Sequence, residues 1–313
     1  MKSQKIGWKS ISKIKNVIKK TFPFIISLIL LGFFFRYTYS NNVITIIKNA
    51  NIYFLMLAGI VFLFIPFVKA LRFGMLIKNS IEFNKKQNIL IHYIVPIAGF
   101  FTPGRIGEGV KVLVLKDKRK YAAFFFLIEK ILEMLAILVF SIIGLILFGF
   151  DRIFIVTVIL VTLILVVITV NIKTIGYYLF KIIKRRKLAR SIKNYSINIG
   201  IKEWFYIIMF TLIRWTLDFL TVYFIALAVG IKLNFFVMSF AFSVSTIMGF
   251  LSGLPGGLGV REFSILFILE RFFSISRDLV FSFNILLIFI PYSLAIAGYI
   301  IGTIIYNRLR TQF

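Results

Sequence analysis

The chain has 313 residues, 60% of them hydrophobic, a mean hydropathy of +0.97 and a formal charge of +27. No soluble domain of this size buries that much apolar surface, so the composition specifies a polytopic membrane protein. The absence of Cys excludes disulfides, thiolate catalysis and Cys-ligated metal, and a lone His92 leaves no His-based metal site or triad, so neither metal nor cofactor is expected.

Bare backbone polar groups are not tolerated in hydrocarbon, and the apolar runs are too long and unbroken for barrel strands, so the spans are read as helices. In chain order, residues 1–20 form a basic segment with seven Lys. Its Ile11, Ile14 and Ile18 alternate with Lys9, Lys13 and Lys20, as in an interfacial amphipathic helix or a plain basic flank. Its length and the lack of an A-x-A site argue against a cleaved signal. Six full spans are expected at 22–40, 52–77, 121–149, 153–172, 203–230 and 279–306. Two shorter apolar segments, 88–101 and 235–252, each end in a Gly/Pro loop. Most of the 38 Lys and Arg fall in five places: the N-terminus, the stretch around Lys78, Lys85 and Lys86, "KDKRK" from Lys116 to Lys120, the loop 173–202, and the C-terminus with Arg308 and Arg310. The positive-inside rule puts these in the cytoplasm, both termini included. Segment 88–101 then enters and leaves from the cytoplasm, while 235–252 dips in from the opposite face near Lys232 and Arg277. The expected fold is an all-α polytopic membrane protein with about six full spans and two re-entrant helical hairpins in an inverted repeat. A single membrane domain covers 21–313, its halves 21–172 and 203–313 joined by the basic loop.

The two Gly/Pro loops resemble each other. Pro103-Gly104-Arg105-Ile106-Gly107-Glu108 reads P-G-R-I-G-E, and Pro255 to Glu262 reads P-G-G-L-G-V-R-E. Both carry P-G-x-[IL]-G and then a Glu, and interrupted segments paired across two halves point to a transport site near the midplane. Neither is a nucleotide loop: "GRIGEG" is followed by Val110 where a P-loop needs Lys, and "GLGVRE" ends in Glu.

"TPGRIGE" (Thr102 to Glu108), "EKILE" (Glu129 to Glu133) and "LPGGLGVRE" (Leu254 to Glu262) resemble the lysylphosphatidylglycerol synthase transmembrane, or flippase-like, superfamily, from about the second span to the C-terminus. "EKILE" departs from the Glu-Arg-x-x-Asp of that pattern through Lys130 and Glu133 but keeps the charge signs. The resemblance implies lipid handling: relatives include the lipid-flipping half of bacterial lysyl-lipid proteins and stand-alone members linked to polyprenyl or hopanoid lipids. The soluble aminoacyl-transferase domain of the fused members has no counterpart in this sequence.

Within the expected membrane region lie Lys69, Arg72, Arg105, Lys111, Lys130, Arg214 and Arg261 against Glu108, Glu129, Glu133, Asp218 and Glu262. A charge at the bilayer centre costs roughly 2.5–3.5 kcal/mol on insertion scales, so the set should share a polar interior. Arg214 and Asp218 can bridge at i,i+4. Glu129 and Glu133 share the same spacing and need a cation between or beside them, with Arg105 or Lys111 as candidates. Lys69 and Arg72 lie near the cytoplasmic end of their span, where they either snorkel or join the interior. His92 is expected at the interface without a special role. The surplus of two positive charges suits a phosphate-bearing guest, and the loops should add bare backbone N–H groups and close approach at Gly104, Gly107, Gly256, Gly257 and Gly259.

The resulting expectation is a flippase-like transporter moving an anionic, phosphate-bearing phospholipid or polyprenyl-linked lipid between leaflets of the cytoplasmic membrane. Its substrate-binding set is Arg105, Gly107, Glu108, Lys111, Glu129, Glu133, Arg214, Asp218, Gly257, Gly259, Arg261 and Glu262, with no catalytic residue. The rivals are an integral-membrane transferase using carboxylates as acid and base, and a non-catalytic membrane partner of a lipid- or glycan-synthesis enzyme docked through the basic loop. No nucleic-acid partner is expected, because the positive charge is explained by topology.

Overall fold

The computed structural model describes residues 25–36, 40–78, 84–114, 119–149, 152–171 and 199–310. The basic segment 1–20 and most of the loop 173–202 lie outside the described residues. Everything described is helix or connecting turn. In chain order the helices are α1 (Ile25–Arg36), α2 (Asn41–Lys48), α3 (Ile52–Ile77), α4 (Lys85–Ile94), α5 (Pro96–Phe100), a 3-10 helix (Ile106–Val114), α6 (Arg119–Leu147), α7 (Arg152–Val170), α8 (Ile201–Ala228), α9 (Phe235–Leu251), α10 (Val260–Phe273) and α11 (Arg277–Arg310). Four of them, α3, α6, α8 and α11, are long and apolar enough to cross a membrane.

Local chemistry sets the boundaries. Asn51, Asn84 and Asn234 each accept a backbone N–H of the first turn through the side chain, and so cap α3, α4 and α9. The α3 boundaries coincide with the expected span 52–77, and the other long helices shift by a few residues. Two differences are larger. Of the first expected span, 22–40, the helix α1 is described, and a separate short helix, α2, follows beyond its end. The segment 88–101 begins at Lys85 and breaks at Val95, because Pro96 cannot continue the ladder of α4 and starts α5 instead.

The most extensive helix contact is α3 against α8, while α9 packs on α6 and α10, and α11 packs on α2, α4, α5 and α10. One aromatic-rich core joins Phe34, Trp215, Phe219, Phe240, Phe281 and Phe283. A second, centred on Phe73, Phe125 and Ile128, seals the side where α3 meets α6. The two Pro/Gly loops touch each other. Pro103 and Pro255 form a single antiparallel bridge, and the Gly256 N–H donates to the Thr102 carbonyl at 3.2 Å. Segments 152 residues apart in the chain thus meet tip to tip, as their likeness suggests.

Candidate functional site

Two groups of buried charge lie beside this contact. The first is a continuous network built by α3, the first loop and α6. Glu108, on the 3-10 helix, receives the Lys69 ammonium at 2.8 Å and the Lys130 ammonium at 2.7 Å, both on Oε2. Lys130 also donates to Glu133 Oε2 at 2.9 Å. Arg72 is fully buried, and its Nη2 donates to Glu129 Oε1 at 2.5 Å and to Glu133 Oε1 at 2.7 Å, so one guanidinium bridges the i,i+4 carboxylates. Its Nη1 reaches Thr211 on α8 at 3.5 Å. Lys111 donates to the remaining oxygen of Glu129 and sits 4.2 Å from the centre of the Phe73 ring.

His92 closes the network. It is 3% exposed, with Nδ1 2.8 Å from the Asn88 carbonyl and Nε2 3.4 Å from the Lys111 ammonium. A carbonyl only accepts, so Nδ1 carries the proton and Nε2 turns its lone pair to the ammonium. The cation between Glu129 and Glu133 is Arg72 with help from Lys111 and Lys130, not Arg105. Lys69 and Arg72 do not snorkel; both are buried members of the network.

The second group lines a cavity between α3, the first loop, α8, α11 and the start of α10. Lys69, Glu108, Arg105, Arg214, Asp218, Arg261 and Tyr292 face it, set among Phe62, Pro66, Phe100, Leu287 and Pro291. Arg214 Nη2 donates to Asp218 at 2.8 Å, while its guanidinium lies 3.7 Å over Trp215. Arg261 donates through Nε and Nη2 to Glu262 Oε1 at 2.9 and 2.7 Å, and Glu262 Oε2 caps α10 by accepting the Gly259 N–H at 2.7 Å. Arg105 adopts φ 56°, uncommon for a residue with a side chain, and its guanidinium sits 5.4 Å from the Phe100 ring. Phe100 in turn stacks on Tyr292 at 4.0 Å and 9° between planes. The cavity volume is about 50 Å³, room for a water or two at roughly 30 Å³ each.

Most of the expected bare N–H groups are not bare; Gly104 alone of the five named glycines has no hydrogen-bond acceptor among the described residues. Arg105, Ile106 and Glu108 donate to carbonyls of their own turn, Gly107 donates to Thr102 Oγ1 at 2.6 Å, and Gly256, Gly257, Leu258, Gly259 and Arg261 are all engaged. Gly107, Gly256, Gly257 and Gly259 approach protein, whereas Gly104 has open space around it. A Cβ on Gly107 would lie 2.1 Å from the Ala98 carbonyl oxygen, one on Gly257 would meet the Gly249 backbone at 2.7 Å, and one on Gly259 would meet Leu30 at 2.7 Å. Of the expected binding set, Arg105, Glu108, Arg214, Asp218 and Arg261 line the cavity. Lys111, Glu129 and Glu133 stand behind it in the ion network, Glu262 stands behind Arg261, and the three glycines shape the turns. Sequence reasoning missed Phe100, Tyr292 and Thr211; aromatic residues are so common in this chain that nothing marks these from the rest. Among the described residues no cluster of potential metal ligands occurs.

Comparison with curated proteins finds no match. The model of the lysylphosphatidylglycerol synthase TM region matches residues 21–298, a range that takes in both loop tips, the Glu129–Glu133 pair and the cavity. With the long apolar helices, that match makes this a membrane protein, and the chain belongs to the lysylphosphatidylglycerol synthase TM region family.

Proposed function

We propose that the protein moves an anionic, phosphate-bearing lipid headgroup, on a phospholipid or a polyprenyl lipid, between the leaflets of the cytoplasmic membrane. The observation that carries this reading is the meeting of Arg105, Arg214 and Arg261 in one cavity directly beside the touching Pro/Gly tips. Arginine suits phosphate because its planar fork matches the oxygens. Family membership adds support, since the family is named for a lipid-modifying synthase.

In this reading the chain has about six spans and two re-entrant hairpins, α4–α5 with the 3-10 helix and α9 with α10, entering from opposite faces as an inverted pair. Both termini are cytoplasmic, and residues 21–313 act as one membrane domain. Passage of a headgroup between the touching tips requires them to part, breaking the Gly256–Thr102 hydrogen bond and the Phe100–Tyr292 stack. The ion network stays with the first hairpin and α6, and holds Glu108 at the cavity wall.

Purified protein in liposomes with a fluorescent anionic lipid tests the reading. Leaflet exchange should appear with the wild type and vanish in Arg105→Ala and Arg261→Ala, with partial return in the lysine variants; full exchange in both alanine variants would overturn it. Single Cys residues at 88 and 118 should be labelled from the cytoplasmic side in cells, and labelling from outside would sink the topology.

A further inference from the structure

We propose that the headgroup taken by this cavity ends in a terminal phosphate, as a phosphomonoester, and carries no amine. The inference rests on the transport reading for its setting and on the bonding state of the cavity's charges for its chemistry.

Consider first what an ammonium group would find. Glu108 already takes two lysine ammoniums on one oxygen. Asp218 is held by Arg214, and both oxygens of Glu262 are spent on Arg261 and the Gly259 N–H. Deeper in, Glu129 and Glu133 are each shared by two cations. Glu108 Oε1 and Asp218 Oδ1 are left to accept, but each carboxylate already has a buried cation, so a cationic headgroup would compete with that cation for the same charge.

An anion finds the opposite. Arg214 is 2% exposed, and its Nε and Nη1 have no hydrogen-bond partner among the described residues. The buried hydroxyl of Tyr292 is also unpartnered. The Arg105 guanidinium rests on Phe100 with no hydrogen bond among the described residues. All three side chains line the same cavity. Buried donors without acceptors are costly, and here they belong to side chains that line one space.

The charge count selects within anions. Seven cations stand against five carboxylates in the interior, and His92 is neutral by its tautomer. A terminal phosphate carries about −1.5 to −2 at neutral pH and brings that surplus close to zero. A phosphodiester leaves one positive charge, a zwitterion leaves two, and an aminoacylated headgroup adds to them.

Trp215 beneath Arg214 is a built-in reporter. The full-length protein in detergent would be titrated by tryptophan fluorescence and calorimetry with dihexanoyl phosphatidic acid. The same titration with matching phosphatidylglycerol, phosphatidylethanolamine and lysyl-phosphatidylglycerol gives the comparison, and inorganic phosphate distinguishes a lipid-borne from a free phosphate. Phosphatidic acid should bind about tenfold or more tighter than each other lipid, as expected for charge-assisted hydrogen bonds gained in a buried site. Arg214→Gln and Tyr292→Phe should erode that preference, and Arg214→Lys should restore part of it. Equal affinities, or tightest binding of the lysylated lipid, would overturn the proposal, and the wild-type comparison decides this even if a variant fails to fold. Inorganic phosphate binding as tightly as phosphatidic acid would overturn the lipid assignment in favour of a soluble ligand. Leaflet exchange with the same lipids separates the two claims: selective binding without exchange removes the transport reading alone, and exchange without selectivity removes this one alone.

Discussion

Replacing Arg72 by Met removes the one cation among the described residues that touches both stacked carboxylates while keeping most of its volume. Its Nη2 lies 2.5 Å from Glu129 and 2.7 Å from Glu133. At an effective dielectric of about 20, each contact is worth roughly 6 kcal/mol of attraction before desolvation. Desolvation offsets much of this, and breaking a buried pair from one side costs about 3–5 kcal/mol. The lower end applies, because Glu129 keeps Lys111 and Glu133 keeps Lys130. Arg72→Met should therefore lose about 3 kcal/mol of stability in mixed-micelle unfolding followed by circular dichroism. Adding Glu133→Gln removes the stranded charge and should recover about 1–2 kcal/mol. A loss under about 1 kcal/mol, the range of exposed pairs, or a double variant no more stable than the single one, would refute the view that Arg72 is the bridge.

Three further outcomes follow from the geometry of the loops and of the α6–α9 contact. Thr102→Val removes the acceptor of the Gly107 N–H and should lower stability by about 1–2 kcal/mol with Thr102→Ser near wild type, as read by thermal melting; equal melts for the two would place the bond outside the fold's needs. Gly259 has φ 87° and a close Leu30, so Gly259→Ala should cost about 1–3 kcal/mol, with exchange activity falling in step with stability; activity lost at full stability would instead return the glycine to the binding surface. Gly144 lies so close to Phe240 that a Cβ would meet its ring at 2.5 Å; Gly144→Ala should loosen α6 from α9, and an unchanged melting temperature would contradict that packing.

Much was legible where the physics is local. Apolar length gives α3 to the residue, and two like charges one helical turn apart demand a cation. The identity of that cation was not legible, because Arg72 arrives from 57 positions away in the chain and only helix packing brings it there. Arg105 was the nearer candidate in sequence, but its left-handed backbone turns it to Phe100 instead. The glycine-rich tips suggested open N–H groups, whereas tight turns and Thr102 consume most of them. Tyr292 needed the fold, since its place opposite Phe100 depends on α11 crossing both loops.

The ion pairs have one more property, visible in the order of their numbers. Among the described residues, each joins partners on the same side of the basic loop 173–202: Lys69 to Glu133 on one side, and Arg214–Asp218, Arg261–Glu262 and Glu270–Arg277 on the other. This matters while the chain is being made. A ribosome delivers the first group long before the second, and each unmatched charge costs roughly 2.5–3.5 kcal/mol at mid-bilayer on insertion scales. With partners supplied locally, each stretch can leave the insertion machinery with its carboxylates already neutralised. Two polypeptides divided within the loop should then insert separately and assemble through their tips into one working protein. Degradation of the first fragment even in the presence of the second would show that insertion waits for the whole chain.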